Sequence, residues 1–214
     1  MTDNPFFARL WTMMSAHEPE SLRRLRQENL AGLSGRVLEV GAGTGTNFAC
    51  YPGTVTQVVA VEPERRLAAL ARAAAEVAPV PVSVSLDTIE ELPAEEPFDA
   101  VVCSLVLCSV DDQDAVLQQL FSRIHPGGEL RYLEHVASTG GRKRLQRMAD
   151  AALWPRLFGN CHTHRDTERA IAGAGFLIDT ARHDWTLPAW MPMPVSEFAI
   201  GRAVKPVGDS RPAG

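Results

Sequence analysis

Arg36-Val37-Leu38-Glu39-Val40-Gly41-Ala42-Gly43-Thr44-Gly45-Thr46-Asn47-Phe48 joins a short apolar run to three alternating glycines. The run, rich in β-branched residues, reads as a buried strand. The glycines read as a tight turn, and the residues after them as the start of a helix. Glycine permits φ > 0 and lets backbone approach a ligand closely, and a helix start offers free N–H groups to a polar ligand. The unit is therefore a cradle for a bound cofactor.

Spacing narrows the choice of cofactor. A dinucleotide fingerprint G-x-G-x-x-G would need its third glycine at position 46, where the chain has Thr46, and the glycine comes one residue early at Gly45. A nicotinamide dehydrogenase is disfavoured on this ground. The pattern Glu39-x-Gly41-x-Gly43-x-Gly45 instead resembles motif I of class I S-adenosylmethionine-dependent methyltransferases. Some 20 residues on, a second apolar run, Gln57-Val58-Val59-Ala60-Val61, ends in Glu62, an acid placed to take both hydroxyls of a ribose. Strand, glycines, helix start and a second strand ending in an acid form a stronger signal together than any one of them.

Composition bounds the alternatives. The chain has 214 residues, enough for one domain with a substantial core. Its formal net charge is -5. No Lys/Arg run is long enough to give an electrostatic footprint for nucleic acid, so no nucleic-acid partner is expected. The longest apolar stretch, near residues 100–110, is too short to span a bilayer, and the N-terminus lacks a signal-peptide pattern. A cytoplasmic protein without a stable membrane anchor is expected. Cys50, Cys103, Cys108 and Cys161 show neither C-x-x-C spacing nor the density of a disulfide scaffold, so reduced thiols are expected.

Along the chain, Asn4-Pro5 opens a helix, and Phe7, Leu10, Trp11 and Met14 share its face. That face packs on the domain or forms one wall of an apolar substrate pocket, and the two readings are compatible. His17-Glu18-Pro19 breaks the pattern, and a more polar helix runs to Leu30 with Gly32 as its stop. From Arg36 onward strands alternate with helices, the signature of a parallel sheet covered on both faces. Pro63 opens a helix with Leu67, Leu70, Ala71 and Ala74 inward. Residues 80–85 and 98–104 are the third and fourth strands, Asp111 and Asp112 cap the next helix, Pro126-Gly127-Gly128 is a turn, and residues 129–136 are the fifth strand. Leu145, Met148, Ala149, Ala152 and Leu153 mark a helix whose outer face is basic. Another helix spans 167–174. Residues 176–184 and 197–204 form the last two strands, joined by a Pro-rich segment at 188–194 too short for a crossover helix, so the last strand is antiparallel. The expected organisation is N-terminal helices over 1–34 that cap the active site, one domain over 35–204, and a disordered tail over 205–214.

Four further blocks narrow the resemblance: Cys103-Ser104-Leu105-Val106-Leu107-Cys108-Ser109-Val110, Ile124-His125-Pro126-Gly127-Gly128, Glu134-His135-Val136 and Trp154-Pro155-Arg156-Leu157-Phe158-Gly159-Asn160-Cys161. With the glycine turn they resemble the small methyltransferase-like proteins that include the mammalian microsomal thiol methyltransferases. The resemblance covers nearly the whole chain. It implies an α/β fold, a single Rossmann-like methyltransferase domain with a seven-stranded, mostly parallel sheet whose last strand is antiparallel, behind an N-terminal helical extension. It implies S-adenosylmethionine as cofactor, leaving S-adenosylhomocysteine as product. The mammalian members carry an apolar N-terminal anchor that this sequence lacks, so their membrane location is not expected here. The cofactor-binding residues it implies are Glu39, Gly41, Ala42, Gly43, Gly45, Asn47, Glu62, Pro63, Thr88, Ile89, Ser104 and Leu105, with Glu39 near the amino group of the methionine moiety and Thr88 and Ile89 flanking the adenine.

Methyl transfer from a sulfonium is an in-line displacement that needs alignment, exclusion of water and, for some acceptors, a base. A thiol with a pKa near ~8.5 asks little of that base. The catalytic candidates are His135, at the C-terminal edge of the fifth strand, His162, in a segment resembling the family's cap over the substrate, and Cys108, just beyond the fourth strand. His135 is as well explained as a hydrogen-bonded structural histidine, His162 as a polar loop residue and Cys108 as a buried small side chain. A metal reading of His162-x-His164-x-Asp166 names no convincing third ligand, and no metal is expected. Cys161 beside His162 suggests a nucleophile pair that methyl transfer does not need. Amine methyltransferases acting on nucleobases often carry Asn or Asp followed by Pro-Pro-Tyr or Phe where this chain has Ser104-Leu105-Val106-Leu107, so an apolar acceptor site is implied. Phe7, Trp11, Leu107, Trp154, Trp190 and Met191 are its candidate walls, though for any single one of them ordinary core is the better reading. The partner expected is a small methyl acceptor, and the resemblance implies foremost the sulfur of an alkyl or natural-product thiol. An O- or C-methyltransferase of phenolic or quinone-like metabolites, a phospholipid headgroup N-methyltransferase and a cofactor-binding protein without turnover are the alternatives.

Overall fold

The computed structural model describes residues 4–93, 96–137, 140–151, 154–185, 195 and 197–208. Seven strands, β1 (Gly35–Val40), β2 (Val55–Val61), β3 (Val82–Ser85), β4 (Phe98–Ser104), β5 (Ile124–His135), β6 (Leu177–Trp185) and β7 (Glu197–Val204), form one sheet in the order β3-β2-β1-β4-β5-β7-β6. The pairs among β1 to β5 are parallel, and β7 runs antiparallel to both β5 and β6. The expected sheet is thus present. From β1 the chain moves outward to β2 and β3, then returns to place β4 on the other side of β1. That reversal opens a crevice at the carboxyl ends of β1 and β4, the position where open α/β sheets bind ligands.

Consecutive strand residues point to opposite faces, and the central strands are apolar on both. Leu38 and Val101 face a layer with Leu117, Leu120, Tyr132 and Ile171. Val37 and Val102 face a second layer with Leu30, Leu33, Phe48 and Ala71. The helices supplying these layers are α2 (Glu20–Leu30) and α3 (Arg65–Ala75) on one side, and α4 (Gln113–Arg123) and the helix Thr167–Gly173 on the other. Each of three helices starts at an acid whose carboxylate accepts from its first turn: Glu64 from Arg66 N and Leu67 N, Asp112 from Ala115 N, and Asp166 from Arg169 N. In α1 (Pro5–Ala16), Asn4 Oδ1 accepts from Phe7 N at 3.0 Å with Pro5 at the first position, as expected.

Several local expectations are corrected. The glycine turn leads into a single 3-10 turn, Phe48–Cys50, and not into a helix, because Pro52-Gly53 follows too soon for an α-helix to form. The link from β3 to β4 is also non-helical over its described residues. The helix after β2 starts at Arg65 and not at Pro63, since Glu64 takes the cap. Strand β5 begins at Ile124, directly after α4, so Pro126-Gly127-Gly128 lies within its span. Helix α5 (Gly140–Ala151) exists, but Met148 on its expected inner face is 70% exposed and Leu145 36% exposed. Lys205, expected in the tail, is tied down: its N–H donates to Gly128 O and its Nζ to Phe121 O and Ile124 O. Ala152, Leu153, the 188–194 segment with Trp190 and Met191, and residues 209–214 lie outside the described residues. Among the described residues no helix is long and apolar enough to cross a membrane.

One packing contact leaves no room for a side chain at Gly201 in the β5/β7 pairing. A β-carbon at Gly201 would lie 2.2 Å from Tyr132 Oη and 2.5 Å from Thr180 O. Tyr132 is fully buried and cannot swing away without vacating the core. Gly201→Ala is expected to lower the unfolding free energy by about 1–3 kcal/mol, the usual cost of overpacking, measured by urea denaturation.

Candidate active site

The site is built on the turn that ends β4. Leu105 adopts φ 62°, a left-handed conformation rare for a branched residue. Glu134, fully buried in β5, holds it there: Oε1 accepts from Val106 N at 3.0 Å and Leu107 N at 2.9 Å, and Oε2 from Cys108 N at 3.2 Å. Burial pushes the Glu134 carboxyl up, against the opposing pull of these three N–H donors and of His135. Three successive N–H groups on one carboxylate fix the path of the chain next to the crevice, and strain of this kind concentrates at functional sites.

On the β1 side, Gly41, Gly43 and Gly45 have φ of 63°, 58° and 77°. A β-carbon at Gly43 would lie 2.7 Å from Trp11 Nε1, so helix α1 closes directly over the turn. Glu62, at the end of β2, accepts from Gly43 N at 2.8 Å and Glu64 N at 2.9 Å. Burial is the first cause raising its pKa.

These elements surround a cavity of about 560 Å³, within the ~300–1,000 Å³ range of small-molecule sites. Gly41, Gly43, Glu62, Pro63, Thr88, Ile89, Ser104 and Leu105 line it, as do Phe7, Trp11 and Met14 of α1, Trp154, Phe158, Cys108, His135 and Cys161. Trp154 and Phe158 stack with ring centroids 4.0 Å apart, and a β-carbon at Gly159 would meet Phe7 at 2.5 Å. The indole N–H of Trp154 is buried and has no partner among the described residues. Four bonds pin this cap to the β4 turn: Asn160 Nδ2 to Ser109 O and Asp111 Oδ1, both 2.9 Å, His162 N to Cys108 O, 2.8 Å, and Arg165 Nη1 to Leu107 O, 2.7 Å.

The pinning brings together residues distant in sequence. Cys161 Sγ lies 3.7 Å from Cys108 Sγ and 3.5 Å from His135 Nδ1, and Cys108 Sγ lies 3.8 Å from His135 Nδ1. His135 also packs on Phe198, ring centroids 4.7 Å apart. The interaction with Cys161, followed by burial, pushes the Cys108 thiol well up.

Other expected site residues are placed elsewhere. Glu39, Ala42, Gly45 and Asn47 do not border the cavity. Glu39 is turned inward, where it accepts from Tyr51 Oη at 2.6 Å and Asn47 Nδ2 at 3.0 Å. Asn47 Oδ1 in turn accepts from Arg26, which is paired with Glu18 at 2.6 Å, so a buried polar chain runs from the helical extension to β1. Asn47 Nδ2 also reaches Ser104 Oγ at 3.1 Å. Leu107 is core and not wall. His162 is partly exposed and does not border the cavity, and burial, then the Arg165 charge, lowers its pKa. His164 pairs with Asp150 away from it.

A family model described as a methyltransferase domain matches residues 14–180. The chain belongs to the class I S-adenosylmethionine-dependent methyltransferases. Thiol S-methyltransferase TMT1B of Mus musculus is 33% identical to this methyltransferase over 212 residues, 94% of this chain and 85% of that protein. A ubiquinone biosynthesis O-methyltransferase of Xanthomonas campestris is 35% identical over 97 residues, 44% of this chain and 41% of that protein. Among solved structures, a putative methyltransferase from Bacillus halodurans C-125 matches with TM-score 0.70 at 15% identity, covering 87% of this chain and 99% of that one.

The methyl donor is S-adenosylmethionine, and the cavity fits it. Gly41 and Gly43 present side-chain-free backbone in a conformation that disfavours any other residue, and Glu62 borders them with a buried carboxylate. Bound there, the cofactor supplies a methyl group activated on a sulfonium.

Glu39 gives the methyltransferase a pH signature. Burial, outweighing its bonds to Tyr51 and Asn47 and the nearby Arg26 charge, raises its pKa from 4.5 to about 7. A carboxyl raised on folding stabilises the fold below its unfolded value, and that contribution is lost as pH rises toward the folded value. Between pH 4.5 and 7 the wild type should therefore lose about 3 kcal/mol relative to Glu39→Gln. Paired urea titrations across that range check the slope.

Proposed function

We propose that this methyltransferase acts on the sulfur of a small, largely apolar thiol. The observation that carries the reading is the likeness to a protein named as a thiol S-methyltransferase across 94% of the chain, against 44% for the O-methyltransferase relative. The lining residues agree with it: Phe7, Trp11, Leu105, Val106, Trp154 and Phe158 give the cavity apolar walls. In this reading Glu62 accepts from the ribose hydroxyls, Thr88 and Ile89 border the adenine, and the backbone at Gly41 and Gly43 receives the methionine end. The acceptor lies toward Cys108, His135 and Cys161, and helix α1 with the 154–161 cap excludes water.

His162 is not needed in this scheme, since it lies off the cavity. His162→Ala is expected to retain most of the turnover, whereas His135→Ala loses about 10²-fold or more, in the range of a lost acid–base or positioning group. The decisive assay follows S-adenosylhomocysteine release with small alkyl thiols and dithiols, phenols, and phosphatidylethanolamine liposomes, each against a no-acceptor control. Turnover confined to thiols is the expected result. Turnover only with phenols or lipid would sink the sulfur assignment.

A further inference from the structure

Cys108, His135 and Cys161 come from three separate segments, and among the described residues they form the one group of three metal-ligating side chains whose donor atoms all lie within 4.8 Å of one another. Zinc bound at Zn–S ~2.3 Å and Zn–N ~2.0–2.1 Å in a tetrahedron requires S···S edges of about 3.8 Å and S···N edges of about 3.6 Å. The edges here are 3.7 Å for S···S and 3.5 and 3.8 Å for S···N, each within about 0.2 Å of the tetrahedral edges. Two thiol sulfurs and one imidazole nitrogen are also the donor set that selects zinc over hard cations. All three residues border the cavity, the side from which a fourth ligand would enter.

We propose that Cys108 Sγ, Cys161 Sγ and His135 Nδ1 bind one zinc ion whose open position takes the sulfur of the acceptor thiol. The catalytic half of this proposal rests on the thiol reading above, while the binding half does not. Three protein ligands with one open position is the arrangement of catalytic zinc, in contrast to the closed four-ligand set of structural sites. Cys108 and Cys161 bind as thiolates and release two protons to solvent as zinc enters, and on coordination the acceptor S–H releases a further proton and its sulfur binds as thiolate. A lone pair of that sulfur then forms the bond to the methyl carbon as the carbon–sulfonium bond breaks, its electron pair remaining on S-adenosylhomocysteine. The product thioether is neutral, is a poorer ligand than a thiolate, and leaves the zinc unchanged. The ion thus supplies the thiolate at neutral pH, and His135 serves as its ligand and not as a base.

The full-length protein, purified under reductant, desalted and incubated with zinc sulfate, is measured by plasma mass spectrometry, and with cobalt by its visible d–d and thiolate charge-transfer bands. About one metal per chain is expected. Binding should be lost in Cys108→Ser/Cys161→Ser and kept in Cys50→Ser, whose cysteine lies outside the cavity. Thiol turnover should fall at least tenfold after chelation and return with zinc. Absence of metal in the reduced wild type, equal metal in the double variant, or a Cys108–Cys161 disulfide in its place would overturn the site. Bound metal with thiol turnover indifferent to chelation would overturn its catalytic role and leave the thiol reading standing. Bound metal with turnover only on phenols would overturn the thiol reading and the catalytic role together, leaving the ion as a bound group alone.

Discussion

Glu134→Ala is expected to lower the unfolding free energy by about 3–5 kcal/mol, a large fraction of the stability of a single domain. The side chain is fully buried and accepts from three consecutive backbone N–H groups. Alanine leaves those donors without an acceptor, those of Leu107 and Cys108 in buried surroundings, and each uncompensated buried donor costs about 1–3 kcal/mol, less whatever the turn recovers by relaxing. The positive φ of Leu105 has no reason to persist once the carboxylate is gone. Glu134→Gln is the sharper variant. It keeps an oxygen for Val106 and Leu107 but turns an NH₂ toward Cys108 N, so a loss of about 1–3 kcal/mol is expected. Urea denaturation of both variants at one pH measures the difference. An alanine variant as stable as wild type would show that the turn holds itself.

Glu62→Ala is expected to weaken S-adenosylhomocysteine binding by about 100-fold, the equivalent of one or two hydrogen bonds to a charged acceptor. Two losses combine in this variant. The carboxylate borders the cavity where the ribose is expected, and the same carboxylate fixes the glycine turn through Gly43 N and the following segment through Glu64 N. Glu62→Gln retains one acceptor oxygen and is expected to lose about tenfold. Titration calorimetry with S-adenosylhomocysteine reads both. Unchanged affinity in the alanine variant would remove Glu62 from the cofactor site.

The sheet was legible because its signals are local. The apolar run before Gly41, the acid after Val61 and the short Pro-rich link before β7 each constrain the chain over a few residues, and together they point to a mostly parallel sheet with an antiparallel last strand, while the placing of β7 between β5 and β6 is read from the structure alone. The helix expected after the glycine turn failed for an equally local reason, since Pro52 caps its length. Helix α5 shows the limit of periodicity: Leu145 and Met148 recur at helical spacing, yet both are exposed and Gln146 is buried. The site is less local. Glu134 stands beside His135 in a recognisable block, but nothing in sequence spacing tells that its carboxylate faces a turn 26–28 residues earlier. The buried Arg26–Glu18 pair looks like the surface of a polar helix until Asn47 and Glu39 are placed against it. In the sequence Cys161 stands beside His162, whereas folding pairs it with Cys108, 53 residues away, and with His135. The sequence signal that remained was the presence of both cysteines and His135 in the blocks that define the thiol methyltransferase resemblance.

In the proposed reaction sulfur receives the methyl group. That assignment is tested most directly with an acceptor that offers both candidate atoms in one molecule, a mercaptophenol, together with S-adenosylmethionine carrying a ¹³C-labelled methyl. The carbon chemical shift of the product methyl reports the atom to which it is bonded. A methyl on sulfur, with the phenol left free, is the result this account requires, and a methyl on oxygen with the thiol intact would contradict it.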